Sequence, residues 1–99
     1  MILDRYRQQP SELRRREVDY TDWLADDETI ESLVVTSVTP TTSPTFDLDS
    51  VTVDPTGKIV EYFAGGGLSG TDYVVMIRIT TSDGQVREDE VEITVEEDT

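Results

Sequence analysis

The sequence predicts an all-β fold, an antiparallel β-sandwich of about seven short strands with an extended N-terminal arm. Three observations predict it. Apolar and polar residues alternate with a period of two, as in Val91-Glu92-Ile93-Thr94-Val95. Turn residues interrupt the chain about every 8–12 positions, the spacing of a small sandwich. No stretch reads as a βαβ unit or an internal repeat.

The elements follow in order. Residues 1–16 carry no sustained apolar stripe, and Pro10-Ser11-Glu12 supports one helical turn at most. This segment is expected as an arm, either frayed or ordered by a partner, beside a sandwich domain spanning 17–99. Val18 and Tyr20 alternate with Asp19 and Thr21, and Trp23-Leu24 then turns into a core. A lone Trp at that place is expected inside rather than exposed. Ala25-Asp26-Asp27-Glu28 is a polar turn. Residues 29–38 are rich in β-branched side chains and read as a strand.

Residues 39–45 form a Pro/Thr/Ser loop. Phe46 and Leu48 alternate with Asp47 and Asp49, and Val51 and Val53 continue the strand. Asp54-Pro55-Thr56-Gly57 is a turn, and Ile59 to Phe63 is a further strand. Gly65-Gly66-Gly67-Leu68-Ser69-Gly70 is a flexible crossover. Tyr73, Val75, Ile77 and Ile79 then share one face of a long strand. Ser82-Asp83-Gly84-Gln85 is a hairpin turn with Asp-Gly at its centre. Val91, Ile93 and Val95 form the last apolar face, before the acidic tail 96–99.

Composition excludes several functions. The 99 residues suit one domain with one modest core. There is no cysteine and no histidine. Thiolate chemistry and disulfides are therefore absent, as are the commonest general base near neutral pH and the commonest metal ligand. No apolar run approaches the roughly 20 residues of a membrane span. The charged start of the chain is not expected to be a signal peptide.

The formal net charge is -14, from 22 acidic and 8 basic residues. Five of the basic residues (Arg5, Arg7, Arg14, Arg15 and Arg16) lie within residues 1–16, against Asp4 and Glu12, giving that segment +3. The remainder has Lys58, Arg78 and Arg87 against twenty acids, or -17. Such a body repels nucleic acid and anionic membranes. Its arm is suited to acidic surfaces on a partner or on a neighbouring copy.

Few residues invite a chemical reading. The glycine run is not followed by the Lys and helix that a phosphate loop needs. Carboxylate pairs are inevitable at this acidity. Neither Asp47, Asp49 and Asp54 nor Asp26, Asp27 and Glu28 matches a calcium loop, so a solvated acidic face is expected, with no cofactor, metal site or catalytic residue. Trp23, Tyr62 and Phe63 are the candidates for an aromatic platform that would bind carbohydrate or a host surface.

Gly70-Thr71-Asp72-Tyr73-Val74-Val75 resembles the loop-into-strand passage of immunoglobulin-like and fibronectin type III domains, where a Tyr hydroxyl closes a corner against the backbone. Two longer stretches resemble a group of small virion proteins of tailed bacteriophages, fibre-tail adaptors among them. One is Val18-Asp19-Tyr20-Thr21-Asp22-Trp23-Leu24 with Glu28-Thr29-Ile30 and Ser32. The other is Gly66 to Tyr73 with Arg78-Ile79-Thr80-Thr81-Ser82-Asp83-Gly84 and Glu88.

That resemblance implies an immunoglobulin-like sandwich, made in the host cytoplasm and placed in the virion. It implies no catalysis and does not fix a place within the particle; the favoured reading is an adaptor or connector at the tail or neck, linking larger components such as fibres through the N-terminal arm and sandwich surface. Partners would be tail, neck, fibre or capsid subunits and copies of the chain itself. Capsid decoration on the head surface and a carbohydrate- or host-binding module are the alternatives. The expected contact residues are Ile2, Leu3 and Tyr6 as apolar anchors, with Arg5, Arg7, Arg14, Arg15 and Arg16 pairing with a neighbour's acids after the arm leaves its own domain.

Overall fold

Seven strands build residues 2–97, the part of the chain that the computed structural model describes; side chains are described from Asp4 onward. They are β1 (Ile2–Gln8), β2 (Leu13–Asp19), β3 (Ile30–Thr39), β4 (Phe46–Val53), β5 (Ile59–Gly66), β6 (Thr71–Thr81) and β7 (Val86–Val95). Two sheets face each other, one ordered β1-β7-β6-β3 and the other β2-β5-β4. In chain order the sheets read β2-β5-β4 and β7-β6-β3, with β1 added beside β7.

The inward positions are those that period-two alternation selects. Tyr73, Val75, Ile77 and Ile79 of β6 are fully buried, as are Val91, Ile93 and Val95 of β7 and Val60, Tyr62 and Ala64 of β5. Each large aliphatic among them contributes about 1.5–3 kcal/mol by leaving water. Trp23, expected inside, is half-buried and packs against the rim of this core.

Two edge strands change face partway, and bulges explain it. On β3, Leu33 and Val35 pack against the core, and so does Val38, because the register with β6 slips between Val35 and Ser37. On β4, Phe46 and Leu48 give way to Val51 and Val53, an odd shift. The register with β5 slips between Asp49 and Thr52, and Ser50 takes φ 52° to make the step.

The glycine-rich crossover behaves as its composition demands. Gly66 and Gly67 sit at φ 78° and 93°. A β-carbon on Gly66 would lie 2.5 Å from the Thr45 carbonyl oxygen, so only glycine fits.

The N-terminal segment departs from expectation. Over residues 2–16 the chain does not stand as an arm beside the sandwich: residues 2–8 are β1 and residues 13–19 are β2, one in each sheet. β1 pairs with β7 in parallel, Tyr6 opposite Ile93 and Gln8 opposite Val95, so the sandwich is not wholly antiparallel. β2 pairs with β5 along its whole length, from Leu13 opposite Gly65 to Asp19 opposite Ile59. The turn between them is tied reciprocally: Glu12 N–H donates to the Gln9 carbonyl (3.1 Å), and Gln9 N–H donates to the Glu12 carboxylate (2.8 Å).

Candidate partner-binding surfaces

The strand order gives the sandwich two opposite seams, β1 beside β2 and β3 beside β4. They differ in chemistry.

The β1/β2 seam holds the arginines singled out above, and the structure pairs them within the chain. Arg5 lies 3.8 Å from Glu92, Arg7 3.2 Å from Glu96, and Arg14 2.9 Å from Glu12. Arg15 reaches Glu17 (3.1 Å) and Glu61 (3.2 Å). These pairs are exposed, and each contributes about 0–1 kcal/mol. The acids they meet are Glu92 of β7, Glu96 just after it, Glu61 of β5, Glu12 of the β1–β2 turn and Glu17 of β2 itself.

Arg16 is different. It points into the seam, its guanidinium 4.4 Å from the Tyr6 ring centroid, and donates to the Arg7 carbonyl (3.3 Å) and the Gln8 side-chain oxygen (3.2 Å). Burial, then the nearby Arg14, lowers its pKa. Gln8, 2 % exposed, donates to the Ala64 carbonyl across the sheets (2.9 Å). The Tyr6 hydroxyl lies 3.0 Å from both the Asp4 carboxylate and the Glu17 carbonyl, and burial together with Asp4 pushes its pKa up to about 12. This seam is therefore sealed. Tyr6 and Arg16 are part of the seal, and Arg5 and Arg7 remain outward on a strand whose far edge is unpaired. The side chains of Ile2 and Leu3 lie outside the described residues.

The residues around 18–30 close one end of the sandwich. Tyr20 donates to Asp89 (2.9 Å), and Arg87 pairs with the same carboxylate (2.8 Å). Arg87 also lies over the Trp23 ring at 5.0 Å. Glu28, 1 % exposed, accepts from the Thr81 hydroxyl (2.6 Å), the Gln85 amide (3.0 Å) and the Ala25 N–H (3.1 Å). The Tyr-x-x-Trp-Leu and Glu-Thr-Ile signature is thus structural: it ties the turn after β2 to the β6–β7 hairpin.

Those donors, Thr81 first and the Ala25 N–H next, hold the Glu28 carboxyl below its ordinary range. A carboxyl lowered on folding stabilises the fold above the unfolded value. That stability is lost as pH falls through the lowered value. The melting temperature is accordingly expected to be level from neutral pH to about 5 and to fall below it. Glu28→Gln is expected to lower the neutral-pH melting temperature and flatten the acid limb, as thermal melts across pH will read out.

The β3/β4 seam is open. A cleft of about 310 Å³ lies between the two edge strands, walled by Val35, Val38, Pro40, Phe46, Asp47 and Leu48. Sequence reasoning missed it, because the two strands become neighbours only through the sheet pairing. The one local signal was charge: residues 17–57 contain ten acids and no Lys or Arg.

The proposed aromatic platform is not assembled. Tyr62 is fully buried, Trp23 is covered by Arg87, and Phe63 alone is exposed, at 38 %. Asp54 caps its own turn, accepting from Thr56 (2.7 Å) and the Ile59 N–H (3.2 Å). Among the described residues no group of three or more acids is arranged to hold a metal ion.

Residues 8–96 match the family model described as podophage GP4 fiber-tail adaptor protein gp77. No curated protein matches the chain.

Proposed function

The chain belongs to the podophage GP4 fiber-tail adaptor protein gp77 family, and we propose that it is a non-catalytic structural adaptor of the phage tail, holding a fibre component and a tail component at once. An adaptor needs two separate contact regions. The observation that carries this reading is the pair of opposite seams, one formed by the N-terminal strands and one left open between β3 and β4. The lack of His and Cys is consistent with a purely structural part.

On this reading the N-terminal segment contributes to linkage from within its own sandwich. The outer edge of β1 offers unpaired backbone groups to a neighbouring subunit. Arg5 and Arg7, exposed beside that edge, exchange their weak internal partners for acids on the neighbour, and Ile2 and Leu3 sit at the start of the same strand. Such contacts are individually weak and add up through repetition around a symmetric tail, with copies of the chain placed side by side.

The test is assembly without the chain. Particles made in its absence are expected to have complete tails and no fibres, read by negative-stain imaging and by fibre protein content. Fibres present at normal stoichiometry contradict the proposal.

A further inference from the structure

We propose that the open β3/β4 cleft receives an extended segment of another virion protein, one that alternates apolar residues with Lys or Arg and adds as a strand along β4. The inference deepens the adaptor reading and rests on it, since it names the chemistry of one of the two contacts.

Three observations support it. The cleft is apolar at its base, where Val35, Val38 and Leu48 remain only partly buried because nothing covers them from outside. Both flanking strands are edges, so each presents unpaired backbone N–H and C=O groups to it. β3 is blunted by bulges at 30–32 and, beside the cleft itself, at 35–37, and β4 is bulged at 49–52. The stretch of β4 beside the cleft, Phe46 to Asp49, keeps regular pairing with β5. A regular edge above an apolar slot is the geometry of strand addition: the edge supplies main-chain hydrogen bonds, and the slot takes alternate side chains.

Charge selects the occupant. Asp47 lines the cleft and Asp49 follows it, both exposed. The surrounding segment 17–57 has no cation of its own. An incoming strand therefore places its outward residues against uncompensated acids, which favours Lys and Arg there and disfavours Asp and Glu. The same acids repel the β3/β4 seam of a second copy. A second copy's β1 does not fill the slot, because its alternate side chains, Tyr6 and Gln8, are turned into that copy's own seam. A different virion protein is the occupant that remains.

The test uses assembled particles in which Thr41, an exposed residue lining the cleft, is replaced by a photo-crosslinking amino acid, with sequencing of the captured peptide. The expected product joins the cleft to a segment of another virion protein in which apolar residues alternate with Lys or Arg. Capture of a second copy of this chain, of an acidic or helical segment, or of nothing overturns the proposal. A paired measurement uses Asp47→Lys with Asp49→Lys, both at exposed positions that leave the core intact. This variant is expected to reduce incorporation about tenfold, and unchanged incorporation also overturns the proposal. If the chain is found at the fibre–tail junction but the probe yields no such product, the cleft assignment alone fails. If the chain is absent from that junction, the adaptor reading fails with it.

Discussion

Deleting residues 1–16 is expected to abolish cooperative folding. The truncation removes all of β1 and Leu13–Arg16 of β2, so it opens the edge of β7 in one sheet and most of the edge of β5 in the other. It also removes the Gln8 bond to Ala64 and the Arg16 and Tyr6 seal, leaving Tyr62 and Val95 under an open seam. A domain of this size holds only about 5–15 kcal/mol of stability. Losing one whole strand and half of another exceeds that. The 17–99 fragment should show no sigmoidal thermal transition and collapsed amide dispersion. A free arm behaves differently, since its loss leaves the melt unchanged. Arg5→Ala with Arg7→Ala is the matching control: it removes exposed ion pairs without removing the strand, and is expected to cost under about 1 kcal/mol.

Tyr73 carries the second large effect. It is fully buried, stacks on Phe46 with ring centroids 4.6 Å apart, and its hydroxyl accepts the Leu68 N–H (2.8 Å) and meets the Thr42 hydroxyl. One side chain thus joins β6, the start of β4, the glycine crossover and the Pro/Thr loop. Tyr73→Ala removes the ring and leaves a cavity, at about 3–5 kcal/mol. Tyr73→Phe keeps the ring but deprives the Leu68 N–H of its acceptor, at about 1–3 kcal/mol. Chemical denaturation of the two variants separates packing from the corner bond. A Phe variant as stable as the parent contradicts the assigned role of the hydroxyl.

Much of this was legible in the chain. Val75, Ile77 and Ile79 announced a central strand, and the Asp-Gly turn announced its hairpin with β7. Tyr73 was marked as a corner residue by the loop before it, and its hydroxyl does bond back to the backbone at Leu68. The stretch around Tyr20, Trp23 and Glu28 stood out as a signature, and its residues prove to be the latch at one end of the fold.

What was not legible has a physical cause. In β1 and β2 the inward positions are Tyr6, Gln8, Arg16 and Val18, so charge and amide occupy the places where alternation looks for apolar residues. Arg16 tolerates its position because its planar guanidinium stacks on Tyr6 and finds backbone and Gln8 acceptors. The partner of β1 is the last strand, and a parallel pairing between the two ends of a chain leaves no local trace. The open cleft has the same origin, since Val38 and Phe46 belong to different sheets and become neighbours only once both sheets have formed.

On the proposed reading the N-terminal segment acts from inside its own sandwich. The chain contains no cysteine, so one engineered disulfide tests this cleanly. Arg5 and Glu92 are opposed across the β1–β7 pairing and their side chains meet on one face, which is the approach a disulfide requires. Arg5→Cys with Glu92→Cys, oxidised before assembly, locks β1 to β7 of the same chain. The locked protein is expected to enter particles and support fibre attachment as the unmodified chain does. A locked protein that folds but is excluded from particles, with incorporation restored by reductant, shows that β1 must leave its own domain and contradicts the account.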